Sequence, residues 1–191
     1  MSQPAKRRAS YEDLYTIPEN ATGEILDGEL VVTPRPSPEH ALAASRLGGR
    51  ILPTYDFGHG GGPGGWIILD EPEVLFAGRG EPLVPDLAGW RKERFRRSRE
   101  HNWIDVIPDW VCEVLSPGSA KKDRFTKMDI YRESPEVHHV WLVDPYHKTL
   151  EVFGRQESGA WITASFFAGN DRVRAEPFPE AEFDLAGLWL E

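Results

Sequence analysis

Trp110-Val111-Cys112-Glu113-Val114-Leu115 is an apolar run interrupted by one carboxylate. Its shortness, its valines and the Ser116-Pro117-Gly118 punctuation behind it predict a buried strand rather than a helix. Cys112 reads there as a small core hydrophobe. Glu113 is the anomaly, because a carboxylate among apolar side chains is costly unless it is paired or bound to a metal. Alternation puts it on the same sheet face as Val111 and Leu115. Upstream, Leu83 to Trp90 reads as another strand, carrying Asp86 directly after Pro85. Carboxylates converging from neighbouring strands make a hard-oxygen site for Mg²⁺, which takes one or two carboxylates plus water and phosphate oxygens. For either residue alone, a strand-edge carboxylate held by a backbone N–H or an arginine is the competing reading.

Working outward, Val140-Trp141-Leu142-Val143 predicts a further buried strand, stopped by Asp144-Pro145. Asp123 to Arg132 predicts a helix between the two, with Phe125, Met128 and Tyr131 as core contacts. Trp66 to Phe76 predicts a strand before Asp86. Glu24-Ile25-Leu26-Asp27-Gly28-Glu29-Leu30-Val31 predicts a hairpin turning on Asp27-Gly28. The prolines within Thr33 to Pro38 break that strand, and Ser37-Pro38 opens a helix with Leu42, Leu47, Ile51 and Leu52 on its face. Leu150 to Gly154 and Trp161 to Phe167 form a late meander, and Phe183 to Trp189 closes the fold. Gly58 to Gly65 lacks the Gly-Lys-Ser/Thr ending of a phosphate loop and reads as a turn.

Composition narrows the function classes. The chain has 191 residues, 40% hydrophobic and 28% charged, as a soluble globular domain does. Residues 1–10 read as a flexible basic tail with Lys6, Arg7 and Arg8, and 11–191 as one domain. No apolar stretch spans a bilayer, and one cysteine needs no oxidising compartment, so the cytoplasm is the expected location. One cysteine and scattered histidines give no zinc spacing, and Ser116 before proline is no nucleophile elbow. A net charge of −9 argues against a protein that coats nucleic acid non-specifically. The exception is a local basic run, Arg91, Lys92, Arg94, Arg96, Arg97 and Arg99, expected to be partly helical. It reads either as a nucleic-acid contact or as a solvated face.

The order of these motifs resembles a family. Asp86-Leu87, Glu113-Val114-Leu115-Ser116-Pro117, Asp123, Lys127, Tyr131 and Trp141-Leu142-Val143-Asp144-Pro145 look like the Uma family of restriction endonucleases, within the PD-(D/E)XK superfamily. The Glu24 to Val31 segment and the Ser/Pro-rich entry to His40 match the family's N-terminal pattern as well. The resemblance runs from about Tyr11 to Trp189. It implies an α/β fold of three layers, a mixed central β-sheet flanked by helices. It implies that Asp86 and Glu113 are the metal-binding carboxylates. Leu115 stands where the superfamily expects lysine, and that role passes to Lys127 on the following helix. Ser116-Pro117-Gly118-Ser119 departs slightly from the usual Ser-Pro-Ser/Thr.

The chemistry implied is magnesium-dependent hydrolysis of DNA phosphodiesters, with Mn²⁺ as a substitute ion. Asp86, Glu113 and Lys127 are the expected catalytic residues, and His40, Glu71 and Glu24 the supporting ones. Lys121 and Lys122 read as solvated turn residues. Helical spacing puts Asp123, Lys127 and Tyr131 on one face. A homodimer is expected, since cutting both strands of a duplex suits two related sites. The competing hypothesis is a nuclease fold used as a binding or partner module with little or no catalysis.

Overall fold

The structure is a computed structural model that describes residues 7–76 and 78–190. Residues 1–6 of the expected tail, Lys6 among them, lie outside the described residues. Of the rest, Arg7 pairs with Asp13 at 2.6 Å and the Ala9 N–H donates to the Gly28 carbonyl at 2.8 Å.

Strands β1 (Ala21–Leu26) and β2 (Glu29–Pro34) form an antiparallel ribbon. Its turn is Asp27-Gly28, with φ of 54 and 81, the left-handed pair that a two-residue hairpin demands. Helix α1 (Pro38–Tyr55) follows, with the Ser37 hydroxyl accepting from the His40 N–H and proline in the first turn. The central sheet has six strands: β3 (Trp66–Asp70), β4 (Leu87–Arg91), β5 (Trp110–Val114), β6 (His139–Asp144), β7 (Thr149–Arg155) and β8 (Trp161–Ala168). They lie in chain order, all antiparallel except the β5–β6 pair, so the sheet is mixed. The β5–β6 crossover holds α2 (Ala120–Lys122), a π-helical turn at Asp123–Lys127, and α3 (Met128–Glu133). A small pair, β9 (Arg172–Val173) and β10 (Phe183–Asp184), lies near the end.

Alternation along β5 divides the core into two. Trp110, Cys112 and Val114 pack with Leu47, Ile51 and Tyr55 of α1. Val111 and Leu115 pack on the other face with Met128, Ile130 and Tyr131. A sheet thus sits between two helical layers, each covering one apolar face. On the α1 side the indoles of Trp66 and Trp110 crowd Gly89 between them. A Cβ there would stand 3.2 Å from Trp110 and 3.3 Å from Trp66.

Three expectations need correction. Strand β3 ends at Asp70 rather than Phe76, because Glu71 takes φ 45 and turns the chain before Pro72. Strand β4 starts at Leu87, and Leu83 instead forms an isolated bridge with Val74. The basic segment is not helical but turns and then runs as a loop. Phe95 is its one apolar side chain between 91 and 100, so a helix there would have no face to bury. The segment is instead held by Arg94, which pairs with Asp109 at 2.5 Å and donates to the Ile107 carbonyl.

Gly89→Ala is expected to overpack the indole layer and cost about 1–3 kcal/mol. Urea unfolding should show a lower midpoint with an unchanged slope. A neutral substitution would mean that the two indoles can separate freely.

Candidate active site

Glu113 lies mid-strand on the face that meets the α2–α3 crossover, and only 2% of it is exposed. Three side chains of that crossover are brought to it. Lys127 Nζ stands 3.2 Å from both Glu113 carboxylate oxygens. The Tyr131 hydroxyl donates to Oε1 of Glu113. Asp123 Oδ1 is 3.9 Å from the same ammonium. Lys127 also donates to the Val84 carbonyl at 3.2 Å, so a strand end helps to fix its head.

The π turn explains why one helix face reaches so far. The Met128 N–H returns to the Asp123 carbonyl, five residues back. At about 3.6 residues per α-turn, a step of four overshoots a full turn, whereas in the wider π turn it falls short. The step from Asp123 to Lys127 is π-helical and that from Lys127 to Tyr131 α-helical, so their drifts cancel. All three residues are buried, while Phe125 between them, expected as a core contact, is instead left 63% exposed because the π turn carries it to the outer side.

Asp86 precedes β4 at the same end of the sheet. Its Oδ2 accepts from the Val114 N–H at 2.6 Å, a backbone bond beside Glu113, and its Oδ1 meets His40 Nε2 at 3.2 Å. Nδ1 of His40 is buried with no partner among the described residues. The first turn of α1 thus delivers an imidazole to Asp86. Glu71 sits one residue past β3, and its N–H donates to the Asp86 carbonyl at 3.0 Å.

Glu24, on β1, closes the cluster from the ribbon. Its Oε1 is 2.9 Å from Lys127 Nζ and its Oε2 3.3 Å from Lys122 Nζ. Lys122 is therefore helical and largely shielded by Glu24 rather than a solvated turn residue; Lys121 is exposed. Asp86, Glu113, Lys127, His40, Glu71 and Glu24 all line one cleft of about 690 Å³. None of Arg91, Lys92, Arg94, Arg96, Arg97 and Arg99 lines it. They begin at the far end of β4 from Asp86, about 16 Å away at a strand rise of about 3.3 Å per residue. Arg97 and Arg99 line a separate shallow cleft with His101. Sequence reasoning did not assign Tyr131 and Asp123 to the site; their i+4 spacing about Lys127 was the signal.

The cluster holds more buried acid than base. Burial pushes the Glu113 carboxyl well above the ordinary range; Lys127 opposes this, while Asp123, Asp86 and Glu24 add to it. Burial works against the Lys127 ammonium, but Glu113, Glu24, Asp123 and Asp86 outweigh it and hold its pKa well above normal. Burial also raises Asp123, against the pull of Lys127. Burial disfavours a charged His40, yet the bond to Asp86 and the charges of Asp86, Asp123 and Glu71 raise its pKa. Among the described residues no group of three or more acidic, histidine or cysteine side chains is arranged to hold a metal ion by itself. The surplus of oxygen ligands still fits a hard divalent cation, which needs only one or two protein carboxylates.

Two comparisons with known proteins bear on the family and the fold. The profile of the Uma2 family, described as "Putative restriction endonuclease", matches residues 8–186. A solved structure described as a "putative nuclease belonging to DUF820" from Anabaena variabilis ATCC 29413 superposes with a TM-score of 0.70. It is 20% identical, and the match covers 93% of this chain and 95% of that one. At that identity the likeness speaks for the fold. No curated protein matches the sequence.

Lys127→Ala is expected to cost about 3–5 kcal/mol in metal-free buffer near neutral pH, because it orphans a buried carboxylate. The variant's Glu113 keeps a folded pKa above its unfolded one, so the folded state binds its proton more tightly. Stability is then highest at low pH and declines as pH rises from the unfolded value. The deficit should be smaller at pH 5 than at pH 8, and adding Glu113→Gln should recover most of it. A pH-independent deficit with no recovery would show that the pair does not carry this energy.

Proposed function

The chain belongs to the Uma2 family, described as "Putative restriction endonuclease", and from that premise we propose that it is a divalent-metal-dependent DNA endonuclease that uses Mg²⁺, with Mn²⁺ as a substitute. The observation that carries this reading is the buried Lys127 ammonium 3.2 Å from Glu113, in a cleft that Asp86 also lines. Nothing in the packing of an apolar strand calls for that pair, whereas phosphodiester hydrolysis needs such groups together.

In the proposed site Asp86 and Glu113 would hold the cation, and Mg²⁺ suits their all-oxygen donor pair. The chemistry supplied by such a cation is Lewis-acid polarisation of a phosphoryl oxygen. The rest is done by the chain. Lys127 offers a compact positive charge to the phosphate as negative charge builds on it. Tyr131 and Glu24 hold the Glu113 carboxylate and the Lys127 ammonium in place from opposite sides. His40 and the Val114 N–H fix the Asp86 carboxylate. The burial of Glu113 and Lys127 strengthens the interaction between them.

Nicking of supercoiled plasmid, titrated with Mg²⁺ and Mn²⁺, tests the reading. Asp86→Ala and Glu113→Ala should each lower the rate by about 100-fold or more. Lys127→Ala should do the same with little loss of metal affinity, and Lys122→Ala should do less. Circular dichroism checks that each variant is folded. Plasmid binding with no nicking under either metal would instead favour a nuclease fold used for binding. Full activity in both carboxylate variants would place any cleavage elsewhere.

A further inference from the structure

We infer that the cleft takes an unpaired DNA strand rather than an intact duplex, with the Tyr146 ring as a platform on which a base stacks. This rests on the proposed phosphodiesterase reading for the buried end of the cleft and concerns its mouth.

Two features of the mouth point to a π-face rather than a row of phosphates. The first is its lining. Ile17, Val32, Pro34, Pro36, Pro117 and Tyr146 form an apolar rim around the carboxylates. Val32 is 46% exposed and Tyr146 43%, where most large apolar side chains are buried. Tyr146 is also held still. Its N–H donates to Asp144 Oδ1 at 3.0 Å, and its hydroxyl hydrogen-bonds Ser37 Oγ at 2.8 Å, tying the β6–β7 turn to the start of α1. Among the described residues no aromatic ring stacks on it. An exposed ring pinned at both ends and left without a stacking partner is preorganised to receive one.

The second feature is charge. Duplex binding runs on several lysine or arginine contacts to phosphates. Of the lining cations, Lys127 is buried and Lys122 is paired with Glu24. Arg35 is exposed and donates to the Glu19 carbonyl, leaving it as a single phosphate handle. Against these stand Glu24, Glu71, Asp86, Glu113 and Asp123. A duplex turns its phosphates outward and hides its base faces, so with few free cations at the mouth it would have little to hold it and would offer nothing to the apolar rim. An unpaired strand presents a phosphate and a base face together. Stacking of this kind tolerates any sequence because every base has a π-face.

The test uses a labelled single-stranded 12-mer and a hairpin duplex of the same sequence, bound to the full chain in EDTA and read by fluorescence anisotropy. The single strand should bind at least about 10-fold tighter. Tyr146→Ala should weaken single-strand binding by about 5- to 150-fold, the range of one base–aromatic stack, and leave duplex binding unchanged. Tyr146→Phe keeps the ring and should retain most of the affinity. The inference is overturned if the duplex binds as tightly, if Tyr146→Ala loses nothing, or if the Phe and Ala variants lose equally. Repeating the pair in Mg²⁺ separates the two proposals. Equal cleavage of strand and duplex would overturn this inference and leave the nuclease reading standing. Cleavage of neither would defeat the nuclease reading, while single-strand preference in EDTA would still support the platform.

Discussion

Glu113 and Lys127 set the terms for the rest of the structure. A carboxylate 2% exposed in a central strand and an ammonium 4% exposed on a helix would each be ruinous alone. Together they tie the crossover to the sheet at one point, and the surrounding architecture follows from keeping them satisfied. Tyr131 and the Val84 carbonyl take up their remaining hydrogen-bonding capacity. Glu24 arrives from the β1–β2 ribbon, which is not part of the main sheet and is bound to the site through that side chain. The ribbon is thus positioned by electrostatics at the cluster as well as by its own apolar contacts.

The pair also accounts for the irregular helix. A regular α-helix through 120–133 would let Asp123, Lys127 and Tyr131 drift around the axis, and one of them would leave the face. Inserting one π turn aligns them but disturbs the backbone ladder and exposes Phe125. Local regularity is given up where three polar side chains must meet one buried carboxylate, and π turns recur at such places.

What was legible in the sequence follows from this division. The strand around Glu113, the Asp27-Gly28 turn and the Ser37-Pro38 helix start are local, because each rests on burial or on the backbone needs of two or three residues. The spacing of Asp123, Lys127 and Tyr131 was legible for the same reason, although the π turn that perfects it leaves no trace in composition. The early end of β3 was hidden, since a glutamate at φ 45 looks like any strand glutamate. The basic run misled in its shape, because its conformation depends on Asp109 and Ile107, more than ten residues away. Lys122 looked solvated because its partner Glu24 lies 98 positions upstream. Long-range pairing decides such residues, and a single sequence does not display it.

The surplus of buried acid has a thermodynamic meaning. Glu113, Asp123, Glu24 and, nearby, Asp86 face one buried lysine, with Lys122 on Glu24 and His40 on Asp86, so acid still outnumbers base and Asp123 and Asp86 push the Glu113 carboxyl up. Packing alone would favour replacing these residues by apolar ones of similar volume. The rest of the core can offset this: the Trp66, Trp110, Trp141 and Phe178 rings pack edge to face on the opposite face of the sheet, with the Arg91 guanidinium 4.2 Å over Trp66 at its border. The two faces of one sheet therefore hold opposite properties, an aromatic face that stabilises and a carboxylate face that is strained. A cation binding to the carboxylate face would relieve that strain only in the folded chain, so it would stabilise the fold by mass action in proportion to its affinity.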